Sequence, residues 1–403
     1  MGGQAGIEEK ISLYADDILL FITNPTESLP AIFSEVHGHG KHSGFKINWH
    51  KSVLYHMPGW IPPEDLPHTL EVTSTGFKYL GIYVTLDQAT SLGANIKRVI
   101  SELQVQVQRW VKLPLTILGR AALFKMISLP KLLYVLQNTY YLIPMEIFVN
   151  LNKDIRRLLW KEGHPRIAMT TLQRNQYNGG IALPDIEAYY RAGHLLVINE
   201  CIHTSADHPT YYLERNSISN RSFLYSRYGG GGISGLLPAT QVVLQAWSKA
   251  NRAMGWTNRI TLKTPLWEGN RMRELKKLKG FRHWDMIGIS RVEDIMEGGQ
   301  LKTFGTLQSE YQLHRSQYFK YIQLRHAWRA QGMDAVDLEE YAPLEARLLE
   351  EKIDKKAVTM TYRTLINNAP DKLQKLRHTW ERDINEFEDI DWEAALMHPR
   401  GVA

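Results

Sequence analysis

The stretch Tyr14-Ala15-Asp16-Asp17 decides how this 403-residue sequence is interpreted. It lies between two short apolar runs, residues 11–13 and 18–22. Two such runs around a tight polar pair predict a β-hairpin with a carboxylate pair at its tip. Carboxylates held this close repel each other unless a cation lies between them, so the pattern favours a divalent metal site at Asp16 and Asp17. The alternative is a solvated turn, because Asp is a common turn residue.

Several later segments, in order, carry a resemblance to a known family. They are residues 43–52, 77–82, 129–131, 166–168, 179–185, 189–190, 264–267 and 321–326. Each segment is weak alone, but the ordered series after the Tyr-Ala-Asp-Asp turn resembles the second open reading frame of non-LTR retrotransposons of the long-interspersed-element type. The resemblance covers nearly the whole chain and is strongest from residue 11 to about residue 200.

This resemblance implies an RNA-directed DNA polymerase with Mg²⁺ as its cofactor, bound by Asp16 and Asp17. Lys51 matches the family's lysine near the incoming triphosphate, and the three residues are the expected catalytic set. The expected partners are an RNA template and an RNA–DNA or DNA duplex. The family's primer-grip block matches a run of five residues, namely Phe77, Lys78, Tyr79, Leu80 and Gly81.

The same resemblance implies that essential parts lie elsewhere. In the family, the first metal-binding carboxylate lies far upstream of the turn, whereas here only Glu8 and Glu9 are acidic among the preceding residues. The family also carries a Cys/His zinc knuckle beyond the region matched here. We therefore expect a slice truncated within the palm and before the knuckle, inactive as an isolated chain.

The composition is that of an ordinary globular protein, with 44% hydrophobic and 22% charged residues and a formal net charge of +6. The single cysteine, Cys201, excludes an internal disulfide and a cysteine-based zinc site. No apolar run approaches the roughly 18 residues of a membrane span, and the start lacks a signal peptide. These features predict an intracellular protein of the cytoplasm or nucleus, without a membrane or disulfide partner.

The hydrophobic pattern predicts an α+β fold, with two hairpin candidates near the start and a mostly helical remainder. The resemblance implies that the hairpins belong to a polymerase palm and that the helices after them form the thumb. The expected divisions are a partial palm (1–88), a thumb (89–165), a connection region (166–228) and a C-terminal segment with an acidic tail (229–403). The thumb should hold helices at 93–111 and 118–128 and a third after Pro144. In the second of these, Leu123 and Ile127 should be buried and Arg120 accessible. Asp185 should cap a fourth helix.

Basic residues cluster in three places that could contact nucleic acid. The first two clusters give the expected binding residues Arg109, Lys112, Arg120, Lys125, Lys131, Arg271, Arg273, Lys276 and Lys277. A third combines Arg315, Lys320, Arg325 and Arg329 with Tyr318, Phe319, Tyr321 and Trp328. Cations interleaved with aromatic rings can hold phosphates and stack on unpaired bases. For each cluster, a solvated helix face with its aromatic rings in the core is an equally good interpretation.

Three hypotheses remain open from the sequence. The chain is part of a polymerase, or a nucleic-acid-binding module without chemistry, or a decayed open reading frame with no selected function. In each case the strands around the Asp-Asp turn should expose apolar side chains and unpaired edges, so self-association through them is expected. His37, His39 and His42 are interpreted as a polar turn rather than as a metal site.

Overall fold

The computed structural model describes residues 11–63, 66–161, 163–176, 179–203, 238–253, 259–267, 271–333, 338–349 and 356–367. Within them the chain is mainly helical, and its strands form four separate two-stranded sheets. This confirms the α+β prediction. Three features of the sequence lie outside the described residues. They are the four glycines at 229–232, where the expected C-terminal segment begins, the acidic tail at 381–393 and the side chain of Cys201.

The first hairpin forms as the sequence predicts. Strands β1 (Ile11–Tyr14) and β2 (Asp17–Leu20) pair antiparallel, with Tyr14 opposite Asp17. Because side chains alternate along a strand, one face carries four apolar residues. Ile11, Leu13, Ile18 and Leu20 make up this face, and they are 49%, 66%, 62% and 37% exposed. The apolar face therefore lies open to solvent.

A helix and a parallel strand pair separate the two hairpins. Helix α1 (Pro25–Ser43) begins with a proline in its first turn and ends at Gly44 in the left-handed conformation. It includes the three histidines 37, 39 and 42, so the prediction of a polar turn there was wrong. A short 3-10 turn (Trp49–Lys51) then leads into β3 (Val53–Tyr55), which pairs parallel with β4 (Glu71–Thr73).

The second hairpin also agrees with the prediction. Strands β5 (Phe77–Tyr79) and β6 (Ile82–Val84) pair antiparallel around Leu80 and Gly81. Both turn residues have positive φ, 47° and 82°, which is the pattern of a type I′ hairpin. Glycine tolerates this backbone region, and its place at the second position helps to fix the turn.

A helical unit follows the second hairpin directly. Its elements are α2 (Gln88–Ser91), a π-helical segment (Leu92–Lys97), α3 (Arg98–Trp110), α4 (Ile117–Leu123), a second π-helical segment (Phe124–Ser128), α5 (Leu129–Gln137) and α6 (Met145–Trp160). The predicted stripe Phe148, Leu151, Ile155 and Leu158 is buried in its core. The three helices predicted between residues 93 and 160 are therefore present, and α3 and α6 pack against each other.

Helix α8 (Ile186–His203) joins this unit to the elements that follow. It comes after the short α7 (Met169–Leu172) and begins where Asp185 was predicted to cap it, since the Ala188 amide donates to Asp185 Oδ1 at 3.0 Å. It packs against α5, α9 (Pro238–Ala253), α14 (Pro343–Leu349) and α15 (Ala357–Asn367). The rings of Tyr189 and Tyr362 stack 3.7 Å apart at this contact.

Residues 259–333 have a hydrophobic core of their own, which includes Trp284, Trp328 and Leu324. The described residues of this unit form two 3-10 turns (Leu275–Lys277 and Arg315–Gln317), four helices and one small hairpin. The elements are α10 (Arg282–Met286), α11 (Val292–Ile295), β7 (Met296–Glu297), β8 (Gln300–Leu301), α12 (Phe304–Tyr311) and α13 (Tyr318–Ala330). A buried ion pair, Arg271 to Glu345 at 2.9 Å, connects the unit to α14.

Candidate functional site

Asp16 and Asp17 lie at the tip of the first hairpin, and both are exposed. Ala15 takes the strained position of the two-residue turn, with φ of 52°, and Asp16 follows it. A positive φ at only the first central residue is the pattern of a type II′ turn, which matches the twist of an antiparallel pair. The turn therefore presents two adjacent carboxylates to solvent.

The carboxylates have the right chemistry for magnesium, which prefers oxygen ligands and often takes only one or two from the protein. The two exposed carboxylates therefore offer the type of oxygen ligand that Mg²⁺ takes from proteins. Within the described ranges, no group of three or more His, Cys, Asp or Glu side chains comes together to hold a metal. Since nucleotidyl transfer uses two ions about 3.5–4 Å apart, the described residues supply only part of such a centre.

Lys51 lies on a separate element from the two aspartates. It ends the 3-10 turn before β3, and its side chain is exposed. Trp49 in the same turn meets Phe33 of α1 edge to face, with ring centroids 5.4 Å apart. This aromatic contact fixes the turn against the helix and leaves the Lys51 ammonium in solvent, where it could meet a phosphate.

The five residues that match the primer-grip block, 77–81, form the first strand and the turn of the second hairpin. Lys78 is exposed at the middle of β5, whereas Phe77 packs against Tyr55 with ring centroids 5.4 Å apart. Lys78 and its cross-strand partner Tyr83 form a pair whose backbone groups point outward, because Tyr79 and Ile82 form the hydrogen-bonded pair next to the turn. The outward groups of β6 need partners from elsewhere.

Asn95 supplies those partners. Its Oδ1 accepts from the Tyr83 amide at 2.8 Å, and its Nδ2 donates to the Tyr83 carbonyl at 2.9 Å. The side-chain amide thus takes the place of a neighbouring strand. Asn95 is 1% exposed and lies in the first π-helical segment. Asn95 was not among the predicted site residues, although a lone polar residue beside an apolar helical stripe is a usable signal.

Three further side chains of the helical unit hold the hairpin. Tyr134 donates to the Leu80 carbonyl, and Arg98 donates to the Gly81 carbonyl at 3.3 Å. Tyr141 lies within hydrogen-bond distance of the carbonyls of Thr85 (3.0 Å) and Leu86 (3.1 Å). Both turn carbonyls and the end of β6 are therefore fixed to the helices, so the helical unit sets the position of the second hairpin.

Six of the nine expected nucleic-acid-binding residues are exposed. They are Arg109, Lys112, Lys131, Arg273, Lys276 and Lys277. Lys277 is paired with Glu274 at 2.6 Å on the surface. These six remain candidates for phosphate contacts. The other three, Arg120, Lys125 and Arg271, are buried or partly buried, which the sequence did not indicate.

The prediction that Arg120 is accessible was wrong. Its side chain is 8% exposed, and the buried side of its helix also includes Ala121, Phe124 and Ser128, while Ile127 is 38% exposed. Arg120 lies on the same side of the helix as Phe124, one turn before it, and this side faces the core. The π-helical segment that begins at Phe124 rotates the later residues relative to a straight α-helix, which accounts for the exposure of Ile127. Desolvation lowers the pKa of Arg120, and its Nε and Nη1 have no hydrogen-bond acceptor among the described residues.

Lys125 and Arg271 also make internal contacts. The Lys125 ammonium donates to the Ile181 carbonyl at 2.9 Å, and burial lowers its pKa. Arg271 is 5% exposed and pairs with Glu345, so its expected place on an open basic surface is incorrect. Both side chains instead join segments that are distant in sequence.

The described helices include none that is long and apolar enough to cross a membrane. A comparison with protein families gives one match that covers both hairpins. Residues 3–84 match the model described as "Reverse transcriptase (RNA-dependent DNA polymerase)", and the matched region ends at the last residue of β6. The segment that carries the Asp16–Asp17 turn and the second hairpin is thus similar to a reverse transcriptase domain.

Proposed function

We propose that this chain is part of an RNA-directed DNA polymerase of the non-LTR retrotransposon type. The observation that supports the proposal best is the continuity between the matched segment and the helices. Residues 3–84 resemble a reverse transcriptase, and the helical unit directly after them holds the second hairpin through Asn95, Arg98 and Tyr134. A hairpin that grips a primer needs such support, because reacting groups must be positioned closely.

In this proposal Asp16 and Asp17 hold Mg²⁺. The ion would neutralise charge on the triphosphate and on the attacking hydroxyl when it is bound. Lys51 binds the phosphates of the incoming nucleotide through its exposed ammonium. Lys78, exposed on the second hairpin, contacts the primer backbone.

A second candidate function is that of a module that grips a template–primer duplex without doing chemistry. Its support is three exposed cations of the helical unit, Arg109, Lys112 and Lys131. No acidic residue occurs from position 109 to position 131. Such cations bind the phosphate backbone and do not read the base sequence.

Binding of the intact chain to a labelled RNA–DNA hybrid, followed by fluorescence anisotropy over a salt series, tests the shared part of both candidates. About half of the six exposed cations should contact phosphates, which gives a slope of about −3 for log affinity against log salt, at −0.9 per contact. The double reversal Arg109→Glu/Lys131→Glu should weaken binding at least tenfold.

Lys356→Glu is the matched control, because it reverses an exposed cation just before α15. It should change the affinity less than twofold. If Lys356→Glu weakened binding as much as the double reversal, the hybrid would be attracted only by the net charge of the chain. A folded chain that does not bind the hybrid at low salt would contradict both candidates.

A further inference from the structure

A second surface, on α13 of the 259–333 unit, combines aromatic rings with cations. The buried side of this helix consists of Tyr321, Leu324, Ala327 and Trp328. The opposite side contains exposed residues at spacings of three, four and seven, which place them on one face of a helix. We call this side the α13 outer face, and its members are Tyr318, Phe319, Arg325, His326 and Arg329.

The two aromatic rings of the α13 outer face are exposed to solvent. Phe319 is 81% exposed, and Tyr318 is 50% exposed. The Tyr318 ring is held from behind by Phe304, edge to face at 5.3 Å, and by Tyr321 at 6.3 Å. A ring that is supported on one side and open on the other can receive a flat group by stacking without first becoming ordered.

The helix that carries these rings is fixed in place. The Trp284 indole donates to Gln317 Oε1 at 3.1 Å, just before the helix begins. Lys320 donates to the Gly280 carbonyl at 2.6 Å, and the Trp328 indole donates to the Met333 carbonyl at 3.0 Å. The outer face is therefore a rigid platform.

The charged residues within the segment that contains this helix have one sign. Residues 311–333 contain no Asp or Glu, whereas they contain Arg315, Lys320, Arg325 and Arg329, together with two histidines. Arg315 is exposed in the 3-10 turn that precedes the helix, so cations lie on both sides of the two rings in sequence. This charge is complementary to a polyanion.

We propose that the α13 outer face binds single-stranded nucleic acid, with bases stacked on Phe319 and Tyr318 and phosphates held by Arg315, Arg325 and Arg329. A duplex fits less well, because its bases already stack on each other and cannot reach a ring. The face spans about 16 Å from Tyr318 to Arg329, at 1.5 Å per residue, which accommodates about five stacked nucleotides at 3.4 Å each. The proposal does not depend on the polymerase assignment, because it involves no residue of the matched segment.

The test uses the intact chain, a labelled dT₁₂ strand and a labelled blunt DNA duplex of equal length, each measured by anisotropy. Loss of one base–ring stack weakens binding by about 5- to 100-fold. Phe319→Ala should therefore weaken dT₁₂ binding by a factor in this range and leave duplex binding within twofold. Arg325→Ala should weaken dT₁₂ binding and reduce its salt slope by about 0.7.

Two replacements at the same position separate stacking from simple apolar contact. Phe319→Trp should retain or improve dT₁₂ binding, whereas Phe319→Leu should be nearly as weak as Phe319→Ala. Met286→Ala is the control for loss of an exposed apolar side chain, since Met286 is 77% exposed and has no ring. Because Phe319 is mostly in solvent, all of these variants should keep the melting temperature of the parent chain.

The possible outcomes are decisive. Unchanged dT₁₂ binding by Phe319→Leu would show that the ring is not needed for binding and would overturn the proposal. Competition by an acidic peptide as strong as by unlabelled dT₁₂ would also overturn it, because the site would then recognise charge alone. If Arg109→Glu/Lys131→Glu loses binding to the RNA–DNA hybrid but keeps binding to dT₁₂, the α13 outer face is a separate site from the cations proposed to bind the duplex.

Discussion

The side-chain amide of Asn95 forms two hydrogen bonds with the backbone of Tyr83, at 2.8 and 2.9 Å, and thereby completes the outer edge of β6. A two-stranded sheet is marginal in water, so this edge depends on its attachment to the helices. The relationship connects the segment that resembles a reverse transcriptase with the helices beyond it. It also gives a direct test of how the second hairpin is held.

Asn95→Ala should lower the free energy of unfolding by about 2 kcal/mol, because it leaves two backbone groups of Tyr83 without partners. Urea denaturation measures this loss, and amide exchange at Tyr83 should become faster. Gln104→Ala is the matched control, since it removes an exposed hydrogen bond to Asp154. If Gln104→Ala lowered the free energy of unfolding as much as Asn95→Ala, this would contradict the role of Asn95 in completing the edge of β6.

The carboxylate turn should not support polymerisation in this chain alone. Two adjacent aspartates do not place two ions for nucleotidyl transfer, and the described residues add no third ligand beside them. A primer-extension assay on poly(rA)/oligo(dT) with Mg²⁺ or Mn²⁺ should therefore show no product. Extension that disappears in Asp16→Asn would prove this expectation wrong and would establish a complete centre.

The apolar face of the first hairpin should cause self-association. Leu13 and Ile18 lie opposite each other on this face and are 66% and 62% exposed. Replacing both by Thr keeps the strand propensity but removes apolar surface, so sedimentation velocity should show a shift towards monomer. Ile61→Thr, at a single side chain that is 86% exposed outside the hairpin, should leave the distribution unchanged. A parent chain that is monomeric at tens of micromolar would argue against this contact.

Gly180 should tolerate no side chain. A Cβ at this position would lie 2.0 Å from the Arg174 carbonyl oxygen and 2.7 Å from that of Thr171. Gly180→Ala should therefore cost about 3 kcal/mol of folding free energy, as in other cases of severe overpacking. Gly93→Ala is the control, because its Cβ would meet nothing within 4 Å, and it should be neutral or stabilising by about 0.5–1 kcal/mol. Thermal and urea unfolding of both variants compare the two effects.

His194 should make stability depend on pH. Burial lowers the pKa of His194 to about 4, although its Nε2 lies 3.2 Å from the Leu136 carbonyl oxygen. The unfolded chain, with a histidine pKa near 6.5, binds more protons than the folded chain between these values. The free energy of unfolding should therefore fall as the pH decreases from about 6.5 to 4, by up to on the order of 3 kcal/mol.

Urea midpoints measured across this pH range give the slope for the parent chain. His194→Gln keeps a hydrogen-bond donor but does not titrate, so its profile should be flatter by the amount that His194 contributes. Identical slopes for both proteins would assign the pH dependence to other groups.

The sequence alone determined the local structure. The apolar runs and turn residues around Ala15-Asp16 predicted the first hairpin, and the stripe Phe148 to Leu158 predicted α6. The second hairpin was predicted from the resemblance of residues 77–82 to the primer-grip block. These features follow from neighbours within a few residues, where periodicity and turn chemistry decide the outcome. Helix α1 was missed although Pro25 marks its first turn, because Pro30 and two glycines interrupt the pattern.

Only the tertiary structure decided which polar and charged side chains are buried. Asn95 contacts Tyr83, Lys125 contacts Ile181, and Arg271 contacts Glu345, at separations of 12, 56 and 74 residues. The sequence does not distinguish a basic residue that is exposed to solvent from one that donates a hydrogen bond to the carbonyl of a distant residue. Long side chains can place their stems in a core and their polar ends on a partner, so their role depends on which segments the fold brings together.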